Sequence, residues 1–371
     1  MNGLSAVLAV EPALELADPL IVGHRRRELY RPAPGLKAAI DAALWLGQPL
    51  LLTGDPGVGK TRAAYWLAGE LEVEPLLTCN VKSTSTGAEL LYSFDEVARF
   101  RDGARGQERP LLSYLRLNGL GEAIVRGAGG QAVLRTLSGT RLDTPAAIAA
   151  HAESLDRAFG AGGWSPADGA LRVAALLPHD PAFARSAGTH RVLLIDELDK
   201  APRDTPNDLL NEVEAMAFRI PELDLQVESE GGRRPVIVVT SNSEKALPDP
   251  FLRRCVFFDI PFPEDDQLAE IVDGSIAALE GGGALVADAI GLFRRFRAPT
   301  SGIRRWPGTA ELLAWLDLLV ARYGFAAQDP LSGRPDDLAD SLTAVLKSRD
   351  DLATGRRLAA AWAGSVAQAA K

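Results

Sequence analysis

Lys60 and Thr61 close the octapeptide GDPGVGKT (residues 54–61), which fits G-x-x-x-x-G-K-[ST] at every fixed position. Gly54, Gly57 and Gly59 allow a backbone that aims successive N–H groups inward, where phosphate oxygens would sit. Asp55, Pro56 and Val58 fill the variable positions, and Arg62 follows directly. Lys60 is expected to reach the β- and γ-phosphates of a nucleotide, and Thr61 to ligate Mg²⁺. A glycine-proline surface loop is the bland alternative. The apolar run PLLLT before the motif and the helical spacing after it argue for the cradle.

Three further stretches would turn a cradle into a hydrolase. In VLLIDELDK, four apolar residues deliver Asp196 and Glu197 to the C-terminal end of a buried strand, where ligands of open parallel sheets bind. Asp196 is suited to holding Mg²⁺ and Glu197 to polarising a water for in-line attack. VIVVTSN ends a second strand in Ser241-Asn242, an amide placed to touch phosphate and water. PDPFLRRC then sets Arg253 and Arg254 after a short helix; a guanidinium offered to a neighbouring subunit's nucleotide would stabilise transition-state charge. Singly, each stretch has an ordinary structural explanation. In this order they form a set.

The elements that must position these residues are legible as periodicities. Helical spacing runs from Gly35 to Leu46 and from Thr61 to Leu71, with buried strands over Pro49–Thr53, Val192–Ile195 and Val236–Val239. Leu76–Thr78 reads as another strand and Thr86–Phe100 as an amphipathic helix. The segment from Gly119 to Gly188 is rich in Ala and Gly; within it Asp143-Thr144-Pro145 opens a helix with a capping side chain. Beyond Pro261-Phe262-Pro263 only helical patterns remain. The expectation is an α/β domain followed by a smaller all-helical one.

Composition narrows the function classes. Forty Lys+Arg against 49 Asp+Glu give a formal charge of −9, which argues against nonspecific nucleic-acid binding. Basic clusters at His24–Arg27, Arg294–Arg297 and Arg304-Arg305 read as solvated faces or subunit contacts. Cys79 and Cys255 have no metal-ligand spacing and make no disulfide scaffold. No apolar run has the length of a membrane span, and the acidic N-terminus does not resemble a signal peptide. A cytoplasmic protein with reduced thiols is the expectation.

The ordered set of motifs resembles an AAA+ ATPase. LGQPLLLTGDPGVGKT, VLLIDELDKAP with NDLLNEVEAMAFRIPE, VVTSNSEKALPDPFLRRCVFFDIPFP and PGTAELLAWL look like the MoxR-like family, over most of residues 35–320. The resemblance implies a P-loop NTPase core at 31–262 after a leader at 1–30, and a helical lid at 263–371. A helical insertion is expected at about 119–188. It further implies Mg-ATP hydrolysis in a ring, usually a hexamer, with chaperone-like remodelling of a protein partner, commonly one bearing a von Willebrand factor A domain. Many relatives place an arginine at the start of a lid helix; here Ala310 stands near that point, and Arg305 is the candidate by Gly-x-x-Arg spacing. A DNA-directed motor or loader on the same core, and a slowly cycling interaction module, are the alternatives.

Overall fold

The computed structural model describes residues 30–369 apart from 74, 162–163, 165–168, 230 and 243. The expected leader, except Tyr30, and the cluster at His24–Arg27 lie outside the described residues.

Five strands form the central sheet: β1 (Leu50–Thr53), β2 (Leu77–Asn80), β3 (Val192–Asp196), β4 (Val236–Thr240) and β5 (Val256–Asp259). They lie in the order β5-β1-β4-β3-β2, and every neighbouring pair is parallel. A parallel sheet covered on both faces needs apolar side chains at successive positions, as LLLT and VLLI supply. Alternation divides them. Leu51, Leu193, Ile195, Ile237 and Val239 enter one buried cluster, whereas Leu50, Leu52, Val192, Leu194 and Val238 enter another.

Helices α1 (Leu36–Leu46) and α2 (Lys60–Glu70) contribute Leu36, Ile40, Ala64 and Leu67 to the second cluster. On the opposite face α3 (Gly119–Ala128) and α4 (Thr205–Ala215) cover the first cluster, through Leu120, Ile124, Leu209 and Val213. The C-terminal third is helical: α5 (Asp265–Ser275), α6 (Ala284–Arg297), α7 (Thr309–Ala321) and α8 (Arg349–Ala369). It has its own core, with Phe293, Phe296 and Trp315 fully buried and Trp315 Nε1 donating to Ser341 Oγ at 2.9 Å. Phe262 packs against both this core and the sheet cluster beside α1 and α2.

One expectation differs from the structure. The amphipathic helix expected at 86–100 is broken into Gly87–Leu91, a strand at Tyr92–Phe94 and a helix at Glu96–Ala104. The cause is local: Thr86 caps the first helix in a box with Glu89, and Asp95 caps the second by accepting from Ala98 N at 2.8 Å. Tyr92–Phe94 pairs antiparallel with Leu115–Leu117, and Asn118 N donates back to Leu91 O at 2.9 Å. Chain thus leaves one helix at Leu91 and resumes in α3.

The stretch at 119–188, expected as a helical insertion, contributes side chains to the central core. Its first helix, α3, is almost wholly buried. Leu134, Leu142, Leu155, Leu171 and Val173 join the same cluster as β3 and β4. A strand at Arg135–Thr136 completes an antiparallel sheet with Ala217–Ile220 and Leu225–Glu228. Within the stretch, Thr144 caps the helix Pro145–Ala150 by accepting from Ala147 N at 3.2 Å.

Candidate nucleotide site

The site is assembled at the carboxyl ends of β1, β3, β4 and β5, where an open parallel sheet presents its crevice. The loop after β1 takes positive φ at Gly54, Gly57 and Gly59 (128°, 82° and 97°), values that side-chain-bearing residues rarely adopt. Lys60 opens α2 and is only 7% exposed. Its Nζ donates to the carbonyls of Gly54 at 2.7 Å and Asp55 at 3.1 Å. Burial pushes this ammonium below the usual lysine range, against the opposing pull of Asp199, Asp55, Asp196 and Asp259.

Thr61 is joined to the acidic strand end. Its Oγ1 donates to Asp196 Oδ1 at 3.0 Å, with Oδ2 at 3.3 Å, across 135 residues of sequence. Thr240, at the end of β4, donates to the same Oδ1 at 2.6 Å and accepts from Glu197 N at 2.8 Å. Glu197 follows β3 in the left-handed region, at φ 59° and ψ 47°. Its Oε1 accepts from Asn242 Nδ2 at 3.3 Å, and its Oε2 is ion-paired with Lys200. Asp199 is 3% exposed and accepts from the backbone of Asn242 at 3.3 Å and Glu244 at 3.0 Å. Sequence reading missed Thr240 and Asp199, although Asp199 lies inside the DELDK it had singled out.

The fit to Mg²⁺ is of the kind that uses few protein ligands. Among the described residues no group of three or more His, Cys, Asp or Glu could enclose a metal. Thr61 and Asp196 would hold Mg²⁺ together with phosphate oxygens, since this ion keeps one or two carboxylates and shares its remaining sites with substrate and water.

Two cavities flank the loop. One of about 630 Å³ is lined by Tyr30–Pro34, Gly57–Gly59, Arg62, α5 residues and, on α7, Thr309, Ala310 and Leu313. Its size suits a small ligand. Thr309 Oγ1 is buried there without a hydrogen-bond partner among the described residues, and the whole residue is 8% exposed. Tyr30, absent from the sequence reading, lies tilted against Trp66 with ring centroids 5.9 Å apart, and a Cβ at Gly59 would lie 3.1 Å from its ring. The other cavity, about 300 Å³, is lined by Gly54–Pro56, Asn242, Asp259 and the chain from Ile260 to Phe262.

The arginines divide. Arg254 is ion-paired with Glu214, and its guanidinium also donates to Pro250 O at 3.1 Å. Arg253 is exposed, and its side chain has no partner among the described residues. Neither lines the two cavities beside the loop. Arg305 is exposed and lines neither cavity; its backbone N–H donates to Asp351 Oδ2 at 3.3 Å. Arg62 lines the larger cavity beside Gly57–Gly59, and Arg297, at the end of α6, is ion-paired with Asp55 of the loop. No signal in the sequence distinguished it from its neighbours in RRFR.

No protein-family model and no curated protein matches the chain. Solved structures do. RuvB of Thermotoga maritima, described as a Holliday junction branch migration motor, is 14% identical with a TM-score of 0.37, over 83% of this chain and 66% of that one. Two single-substitution mutants of the same protein match at 14% identity, with TM-scores of 0.38 and 0.40 and 67% of each covered. The chain therefore spans about two thirds of these proteins' length.

Proposed function

We propose that the chain is an AAA+ ATPase, binding Mg-ATP between the P-loop and the helical lid and hydrolysing it at Glu197. The single observation that carries this reading is the bond between Thr61 and Asp196. It brings the end of a phosphate loop and the end of an acidic strand to one point, with Glu197 and Asn242 adjacent. Lys60 neutralises β- and γ-phosphate charge by exchanging its carbonyl partners for phosphate oxygens. Mg²⁺, when bound, withdraws charge from the same oxygens. Glu197 accepts a proton from the attacking water, and Asn242 orients that water.

The active unit is a ring in which Arg253 or Arg254 reaches a neighbour's nucleotide; Arg253 is favoured because Arg254 is engaged by Glu214. Remodelling of a protein partner of the von Willebrand factor A kind rests on the MoxR-like stretches of sequence. A cytoplasmic setting rests on reading Cys79 and Cys255 as reduced thiols; among the described residues no helix is long and apolar enough to cross a membrane.

Calorimetry with ATP and phosphate-release assays test the proposal together. Lys60→Ala is expected to lose binding, while Glu197→Gln keeps affinity within a few-fold and loses most turnover. Equal turnover by Glu197→Gln and the parent chain would remove the assignment. A salt-sensitive gel shift with single- and double-stranded DNA tests the DNA-directed alternative.

A further inference from the structure

We infer that Arg297 is a latch that holds the helical lid on the P-loop and so sets how fast nucleotide leaves. The inference rests on the nucleotide site proposed above and goes beyond it, because neither motif nor spacing assigns this residue.

Arg297 is the last residue of α6, and its side chain is 8% exposed, although the carboxylate it pairs with is 47% exposed. A guanidinium is rarely so buried unless its donors are used. Here they are. One arm is ion-paired with Asp55 Oδ2, and Nη1 donates to Pro307 O at 2.7 Å. The plane lies against Phe262, with Cζ 3.5 Å from the ring centroid, and Trp306 stands at 5.5 Å. A single side chain therefore ties the P-loop, the joint at Phe262 and the entry to α7.

Both ends of that tie bear on the nucleotide. Asp55 is a P-loop residue whose carbonyl accepts from Lys60, the phosphate-binding cation. Pro307 is two residues before Thr309, the first of three α7 residues that wall the larger cavity. The backbone beneath is close: a Cβ on Gly57 would lie 3.0 Å from Gly308 Cα, and one on Gly308 would lie 2.6 Å from Pro56 O. Glycine contacts of this kind permit approach but supply little attraction. Arg297 and Asp55 add a directional bond, with the arginine buried, whereas the other ion pair on this cavity, Arg31 with Glu270 at 3.6 Å, is exposed at both ends. Opening the cavity by lifting α7 requires that bond to break, whereas Arg305, held at its backbone by Asp351, takes no part.

The test uses the full chain with Arg297→Gln, Asp55→Asn and the double variant. Dissociation of a fluorescent ADP analogue is followed by displacement with excess unlabelled ADP. Loss of a charge-assisted hydrogen bond is expected to speed release roughly tenfold in either single variant, with no further gain in the double. Hydrogen exchange of amides 307–313 in nucleotide-free protein supplies a readout independent of binding. It should rise in both single variants, more in Arg297→Gln because that change also removes the bond to Pro307, and no further in the double than in Arg297→Gln. Unchanged exchange in both single variants, or effects that simply add, would overturn the latch. If the parent chain bound no nucleotide, the proposed function would fall while exchange still decided the latch. Should Arg297→Gln misfold, Asp55→Asn, altered on the more exposed partner, decides it by the same exchange signal.

Discussion

Lys200 and Glu197 face each other one turn apart at the end of β3, and their ion pair occupies one oxygen of the carboxylate proposed to activate water. Asn242 occupies the other oxygen at 3.3 Å. A general base must free a lone pair to take a proton, so these partners compete with water for it. Both members of the ion pair are substantially exposed, which keeps its strength low enough to be exchanged. Lys200→Met is therefore expected to raise ATP turnover several-fold with affinity unchanged. Steady-state phosphate release measures it, and an unaltered or reduced rate would show that Lys200 does not restrain the base.

The pairing of Arg254 with Glu214 separates two arginines that are adjacent in sequence. Arg253→Ala is expected to leave ATP binding intact and to lower turnover by two or more orders of magnitude, as loss of an arginine finger does. Arg254→Ala should do less. In mixtures, subunits lacking Arg253 but retaining Glu197 should recover activity only when combined with the complementary variant. Full-rate hydrolysis by a diluted monomer would exclude a shared site.

Thr309 carries a buried hydroxyl with no hydrogen-bond partner among the described residues. Such a group weakens the free fold and gains when a ligand supplies the partner. Thr309→Val should leave the melting temperature unchanged or slightly raised, while nucleotide binding weakens by about 1 kcal/mol, the usual net worth of one hydrogen bond. Calorimetry beside a thermal melt separates the two effects. Stability falling with affinity constant would place the hydroxyl in the fold instead.

The two free thiols should be slow to react. Burial raises Cys79 from 9.0 to about 11, against opposing backbone N–H groups of Leu120 and Gly119, and raises Cys255 to about 12. A raised value means that the proton stays on, so at pH 8 the thiolate of Cys79 is depleted about hundredfold relative to a thiol at 9.0. Iodoacetamide at pH 8 should label both only after denaturation. Rapid labelling of the native chain would show that one of them is open to solvent.

Sequence revealed most where local pattern alone dictates geometry. Runs such as LLLT and VLLI, short and bounded by turn residues, suit strands buried on both faces, and the residues that follow them then lie at the crevice. What escaped notice depends on distant partners. Arg297 resembles its neighbours in RRFR until α6 is placed above Asp55, 242 residues away in sequence. Thr240 is a strand-end threonine until Asp196 accepts from it. The antiparallel pairing of Tyr92–Phe94 with Leu115–Leu117 was hidden for another reason: the first strand lies between two capped helices, and helical spacing across Thr86–Phe100 outweighs the caps. Strand β5, VFFD, carries an apolar run as long as that of LLLT but lies half-exposed at the sheet edge, where burial on both faces no longer marks it.

The backbone of Glu197 sets the chemistry of this position against the durability of the fold. A side chain at φ 59° costs the native state on the order of 1–2 kcal/mol relative to a residue without a Cβ. Glycine would relax that strain, yet it could accept no proton. Glu197→Gly should accordingly yield a protein that melts at a higher temperature and turns nothing over. If the glutamate does the work assigned to it, selection for heat resistance alone would tend to erase it, and a tougher, inert descendant would be the mark of a lineage that had given the activity up.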